Sequence, residues 1–316
     1  MSLLCYFVRL AAEKEFILSE VPGLAEEPPR RRRCGWITCV IIDMRKKMIL
    51  AIDIGNTHMV LGCLNEKNET VKRVQMTTDR QQTSHEYAAG IRQVLQMERE
   101  EAVSFDGSIL SSVVPEVTDV VAEAVRILTG KRPLVLGQGV ETGLALDMNG
   151  LTADQIAGDL LATAVAAVQN YPLPAVVIDI GTATTMTVVS AEGVYLGGVI
   201  LPGPGTSLQA LVKDTSLLPA VDFSRPDRAI AKDTVNAMRA GIVYGSAGAI
   251  DGILDRFEEE LGVSPTILAT GGMGRILAPY CRHRITVDDS LLLKGLGIIW
   301  RNNRKPAEKA AEPETV

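Results

Sequence analysis

Asp53, Gly55, Asn56 and Thr57 close an apolar run that begins at Ile49, and Asp179, Gly181, Thr182, Thr184 and Thr185 close a second run that begins at Val176, the second aspartate standing 126 residues after the first. Each run reads as a buried strand stopped by a tight polar turn, and each is followed by a second apolar run, at 59–64 and 186–189. A carboxylate at a strand end, a glycine without Cβ and short hydroxyl or amide side chains make a turn that an anion can approach closely. Two such turns facing each other would clasp a phosphate chain, with carboxylates holding the neutralising cation. Asp-x-Gly-Asn and Asp-x-Gly-Thr are also ordinary hairpin turns, and each alone reads equally as that. The repetition favours a duplicated clasp. Neither turn is a Walker sequence, and no G-x-G-x-x-G follows a strand.

A third carboxylate stands out on a helical stretch. Thr152-Ala153-Asp154-Gln155 has the form of a capping box, and the helix it opens continues from Ile156 through Ala167. Asp154 would complement the helix dipole. Asp159 falls two turns into a nearly uncharged helix, where an unpaired charge is costly, so it either faces solvent or meets a partner or substrate.

The elements that must carry these residues follow in order. The pattern from Met48 is strand, turn, strand, a third strand near 71–76, a helix over 84–99, a strand at 108–114 ended by Pro115, a helix at 116–128 and a short strand at 133–136. This is a mixed sheet with helices packed on it, an α/β order. After the second turn come a strand near 194–201, a helix near 207–212, and a long helical region from Lys232 through Ala247, continuing from Ala249 to Leu261. Gly241, Gly245, Gly248 and Gly252 give it a smooth stripe; Arg239, Asp251 and Asp255 interrupt it, so it suits close helix packing, such as between subunits, rather than a membrane segment. A strand at 266–269 runs into Thr270-Gly271-Gly272, a turn on which a flat ring can lie or which simply joins strand to helix. A helix at 288–300 closes the sequence pattern.

The chain has 316 residues, 47% apolar and 22% charged, and suits two domains, or one large α/β unit, with ample core. Its net charge of −6 and 4% aromatics argue against nucleic acid and anionic membranes as partners. Five cysteines (Cys5, Cys34, Cys39, Cys63, Cys281) form no Cys-x-x-Cys pair and fit a reducing cytoplasm without zinc. His58, His85 and His283 are too scattered for a triad. Residues 1–47, with Arg30 to Arg33 in a row, read as a leader or a region upstream of the true start; 302–316 is a polar tail.

From Met48 to about Trp300 the sequence resembles the type III pantothenate kinases of the actin-like, sugar-kinase-like and Hsp70-like ATPase superfamily. Asp53-Ile54-Gly55-Asn56-Thr57 is similar to the family's first phosphate motif, and Thr78-Asp79-Arg80 with Glu86-Tyr87 resembles its next block. Ser111-Ser112-Val113-Val114-Pro115 follows, and then Asp179-Ile180-Gly181-Thr182-Ala183-Thr184-Thr185 as the second phosphate motif. Gly197-Gly198-Val199-Ile200, Pro202-Gly203, Leu218-Pro219, Thr234 and Thr270-Gly271-Gly272 complete the series. The resemblance implies duplicated ribonuclease-H-like domains with a central cleft, spanning 48–155 and 156–301. It also implies ATP, Mg, a monovalent cation (K or ammonium), a homodimer, and phosphorylation of pantothenate as the first step of coenzyme A synthesis.

Carried over by position, Asp53, Ile54, Gly55, Asn56, Thr57, His58, Met59 and Val60 bind ATP with Gly181 and Thr182. Gly271 and Gly272 border the adenosine. Asp53 holds Mg, Asp179 holds the monovalent cation and Thr234 contacts pantothenate. Asp159 matches the family's base, because it stands 20 residues before Asp179 and is followed by Ala164-Val165-Ala166-Ala167. The family's Gly-x-Asp-Arg motif reads Ala157-Gly158-Asp159-Leu160 here, and a tyrosine expected upstream is replaced around Asp147, Met148 and Asn149. Leu160 cannot donate to a carboxylate as arginine does. A nucleotide-binding regulator without kinase activity, or a kinase or phosphatase for another small hydroxyl compound, are the alternative readings.

Overall fold

The computed structural model describes residues 48–96, 105–137, 139–147 and 155–304. The leader at 1–47, residues 148–149, the capping-box residues 152–154, the 97–99 end of the first helix and the tail beyond 304 lie outside the described residues.

The first sheet is built from β1 (Met48–Ile54), β2 (His58–Leu64), β3 (Thr70–Thr77), β4 (Phe105–Ser112) and β5 (Leu134–Val135), in the order β3-β2-β1-β4-β5. β1, β2 and β3 are an antiparallel meander, and β4 and β5 continue parallel to β1. The second sheet repeats the plan with β7 (Ala175–Ile180), β8 (Ala183–Val189), β9 (Val194–Pro202), β10 (Thr266–Thr270) and β11 (Thr286–Val287). Its order is β11-β10-β7-β8-β9, and a two-residue β6 (Ala145–Leu146) pairs beside β9 at the edge. This is a ribonuclease-H-like sheet made twice.

Alternation decides which side of each sheet meets which helix. Leu50, Ile52 and Ile54 point to one face of the first sheet, where they pack with α1 (Ser84–Gln96) and α2 (Pro115–Thr129) through Tyr87, Ile91, Val117 and Val121. Ile49, Ala51 and Ile109 point to the other face, against Ala162 and Val165 of α3 (Gly158–Asn170) and Leu293, Leu296 and Ile299 of α7 (Leu291–Asn302). In the second sheet Ala175, Val177 and Leu268 face Ala166 and Ala167 of the same α3. Val176, Ile178 and Ile180 face Val243, Ile250 and Leu254 of α5 (Thr234–Leu261). α3 therefore lies between the two sheets, and its run of alanines lets both approach it. The remaining helices are α4 (Pro204–Lys213) and the single turn α6 (Gly274–Leu277), which runs into a 3-10 turn at Ala278–Tyr280.

α7 returns from the end of the described chain to the first sheet. Burying its three large apolar side chains contributes about 1.5–3 kcal/mol each. Asn68, held at φ 65° in the β2–β3 turn, donates to the Lys294 carbonyl at 2.8 Å, and Arg301 donates to Asn68 and to the Asn65 carbonyl.

Two expectations are corrected and one is met. The helix carrying Asp159 begins at Gly158, because Ala157 is extended (φ −61°, ψ 144°); Asp159 therefore lies in its first turn rather than two turns in. The closing helix begins at Leu291, and Asp288 precedes it, accepting from the Ser290 and Leu291 amides. The long helical region expected over 232–261 is one helix of 28 residues, capped by Asp233, whose carboxylate accepts from the Asn236 amide at 2.9 Å.

Candidate functional site

The three aspartates singled out in the sequence converge. Asp53 continues the Ile49, Ala51 face of β1, and Asp179 continues the Ala175, Val177 face of β7, so both side chains point toward α3. Asp159, in the first turn of α3, meets them there. Burial, reinforced by the charges of Asp159 and Asp179, pushes the Asp53 carboxyl up to about 8. Burial and then Asp159 push Asp179 up to about 7. Burial also raises Asp159, against the opposing pull of the Leu160 amide, which donates to its carboxylate at 2.8 Å. No lysine or arginine contributes to the shift of any of the three. A site of this kind holds protons until a cation replaces them.

The two turns face each other across the cleft. The Thr57 and Thr182 hydroxyls are 3.2 Å apart, a hydrogen bond between residues 125 apart in the chain. Each turn is closed on itself, the Gly55 amide donating to the His58 carbonyl at 3.0 Å and the Gly181 amide to the Ala183 carbonyl at 2.9 Å. Those two N–H groups are thus spent within their turns. Ile54 and Met59 are fully buried in the core, so only their backbones are available to a ligand, whereas Asn56, Thr57, His58, Gly181 and Thr182 are exposed. Val60 is half-buried toward α7.

The supports of the turns come from elsewhere in the chain. Thr78 donates its hydroxyl to the Gly55 carbonyl at 2.7 Å and its amide to the Thr57 carbonyl at 3.0 Å. Arg80 donates to the Asn56 side-chain oxygen at 3.3 Å, which puts one cation on the first turn. Gly203 lies so close to the second turn that a Cβ there would stand 2.1 Å from the Gly181 carbonyl oxygen, and Thr206 donates to the Thr182 carbonyl at 2.6 Å. The sequence signalled Pro202-Gly203 as a turn, but not what it supports. Gly271, at φ 85°, is pressed onto the acid itself: a Cβ would meet an Asp179 carboxylate oxygen at 2.4 Å.

Two buried hydroxyls beside the acids make no hydrogen bond among the described residues. Ser111 is the parallel neighbour of Asp53, and Thr185 the antiparallel neighbour of Asp179. Ser111 is close enough to hold Asp53 below the value burial alone would set, yet without good hydrogen-bond geometry.

Two expected substrate residues are not brought to the acids in the same way. Leu160 packs with Leu144, Leu146 and Tyr195 in an apolar cluster. Thr234 is exposed at the start of α5 and lines a groove of about 580 Å³ with Leu211, Leu218, Lys232 and Met238, none of which belongs to the acid cluster or its turns.

Two sheets of one ribonuclease-H-like plan, each ending its central strand in an acidic turn and the two turns meeting, define a duplicated ribonuclease-H-like α/β class of fold. Within that class, the sequence profile of the type III pantothenate kinases matches residues 49–256. The type III pantothenate kinase of Moorella thermoacetica is 38% identical over 256 residues, covering 81% of this chain and 100% of that protein. That of Bacillus cytotoxicus is 37% identical over 256 residues, covering 81% and 97%. Among solved structures, the ethanolamine utilization protein EutJ from Carboxydothermus hydrogenoformans overlays 80% of this chain and 89% of its own, with TM-score 0.47 and 16% identity. The chain belongs to the type III pantothenate kinase family.

Proposed function

We propose that this protein transfers the γ-phosphoryl group of ATP to the primary hydroxyl of pantothenate, giving ADP and phosphopantothenate. The observation that carries this reading is the meeting of Asp53, Asp159 and Asp179 at the cleft spanned by the Thr57–Thr182 hydrogen bond. The triphosphate lies between the turns, with the Thr57 and Thr182 hydroxyls, the Asn56 amide and Arg80 on its oxygens and Gly271-Gly272 beside the adenosine.

The residues present fit a bound cation. Three carboxylates without a basic neighbour, two of them pushed up to about 8 and about 7, demand positive charge, and with Ser111 and Thr185 as spare oxygens they offer Mg and a monovalent ion the ligands that would displace the protons. Asp53 would hold Mg and Asp179 the monovalent cation, K or ammonium; when bound, these neutralise charge on the phosphoryl oxygens.

Asp159 orients the substrate hydroxyl and takes its proton as the new P–O bond forms and the bond to the β-phosphate oxygen breaks. Its raised pKa makes it a stronger base than an exposed aspartate. Leu160 leaves the substrate carboxylate without the arginine seen in the family motif, so recognition of that end falls to other groups, Thr234 among them. The division into lobes at 48–155 and 156–301 is part of the same proposal, with β6 and α7 as exchanges between them.

The exposed glycine and alanine face of α5, with Tyr244 at its edge, supports a homodimer packed along that helix. ATP and a small acid as substrates suit the cytoplasm. Among the described residues no helix is long and apolar enough to cross a membrane.

The deciding experiment incubates the purified protein with ATP, Mg and K, with and without pantothenate. Phosphopantothenate and ADP in equal amounts are expected. ADP formation indifferent to pantothenate, or no turnover despite bound nucleotide, refutes the reading.

A further inference from the structure

Ser111 is the last-but-one residue of β4 and is fully buried. It sits directly across from Asp53 in the parallel β1–β4 register, so the two side chains share the face that looks onto α3. It also reaches the start of α3: a Cβ on Gly158, the residue before Asp159, would stand 3.0 Å from the Ser111 hydroxyl oxygen. The hydroxyl is thus enclosed by Asp53 on one side and the first turn of α3 on the other; it lies near enough to Asp53 to interact with its carboxylate, yet forms no well-aligned hydrogen bond among the described residues. A buried donor left unpaired costs stability, and in this position it is aimed into the acid cluster. At the matching position of the second sheet the parallel neighbour of Asp179 is also a hydroxyl residue, Thr270.

We propose that Ser111 is a positioning residue: its hydroxyl donates to one oxygen of Asp53 in the loaded enzyme, fixing that carboxylate so that its other oxygen faces the divalent cation. This rests on the assignment of Asp53 to a cation and does not depend on which alcohol is phosphorylated. A carboxylate held by a neighbouring donor loses less rotational freedom when it binds metal, so the gain appears as cation affinity. Ser111 acts through Asp53 and needs no contact with the substrate.

The test uses Mn as the probe, its binding to the ADP-loaded full chain followed by electron paramagnetic resonance. Ser111→Ala is expected to weaken Mn binding about tenfold, the effect of removing one hydrogen bond to a charged group. ADP affinity measured without divalent cation should stay the same. Ser108→Ala is the matched control: Ser108 is another buried β4 serine without a partner, but it pairs with Leu50 and so shares the opposite face of the sheet, away from the acids. It should leave Mn affinity unchanged. Unaltered Mn affinity in Ser111→Ala, with the higher melting temperature expected when an unpaired core hydroxyl is deleted, overturns the proposal. Equal weakening by both variants overturns it too, because that would be a general effect of β4. Pantothenate is absent from the assay, so failure here is distinct from failure of the kinase assignment.

Discussion

At Asp159 a single atom change separates charge from shape. Asp159→Asn keeps the side-chain volume and the carbonyl that accepts from Leu160, but removes the proton acceptor. Turnover should fall about 10²–10⁴-fold while ADP affinity stays within twofold, as measured by steady-state kinetics and calorimetry. The other two acids set a pH dependence. Asp53 (about 8) and Asp179 (about 7) bind protons more tightly folded than at the ordinary value of 3.8, so the stability linked to them is fully present below that value and is lost as pH rises through their folded pKa values. Cation-free protein should therefore melt lower at about pH 8.5 than at about pH 6, and Mg should restore more at the higher pH. Both aspartates were legible in the sequence, because an acid at the end of an apolar run, repeated, is a local pattern. The orphan hydroxyl of Ser111 was not, since its isolation exists only once β1, β4 and α3 have come together.

At the scale of elements, the closest approaches are where side chains are missing. A Cβ on Gly295 of α7 would stand 1.8 Å from the Ala162 carbonyl oxygen of α3. Gly295→Ala should cost about 3 kcal/mol by forcing the two helices apart, read as a fall in the denaturant midpoint. Gly203→Ala should act differently, displacing the second turn and weakening nucleotide binding at least about tenfold with a smaller loss of stability. Strand and helix order from Met48 was readable because the apolar periods are long and regular. Boundaries were less so: a helical composition from Ile156 onward hid the extended Ala157, after which α3 begins at Gly158 and carries Asp159 in its first turn. The two-residue strands β6 and β11 were too short to carry a period, and β6 in particular is held by pairing with β9 rather than by anything in Ala145 and Leu146 themselves.

Across the whole molecule the two sheets meet through α3 and α7, with the Thr57–Thr182 contact at the mouth of the cleft. The proposed dimer makes a separate prediction. Gly245→Arg places a charge on the flat, exposed face of α5 without touching the acids, and should convert a dimer of twice the chain mass into monomer in light scattering. α7 imposes an order of events during synthesis. The inner face of the first sheet, Ile49, Ala51 and Ile109, is covered by Leu293, Leu296 and Ile299, which leave the ribosome about 240 residues after β1. Until α7 emerges, the nascent first sheet carries a greasy flank open to unwanted association. A transcript truncated before Leu291 should accordingly yield aggregates rather than a foldable half.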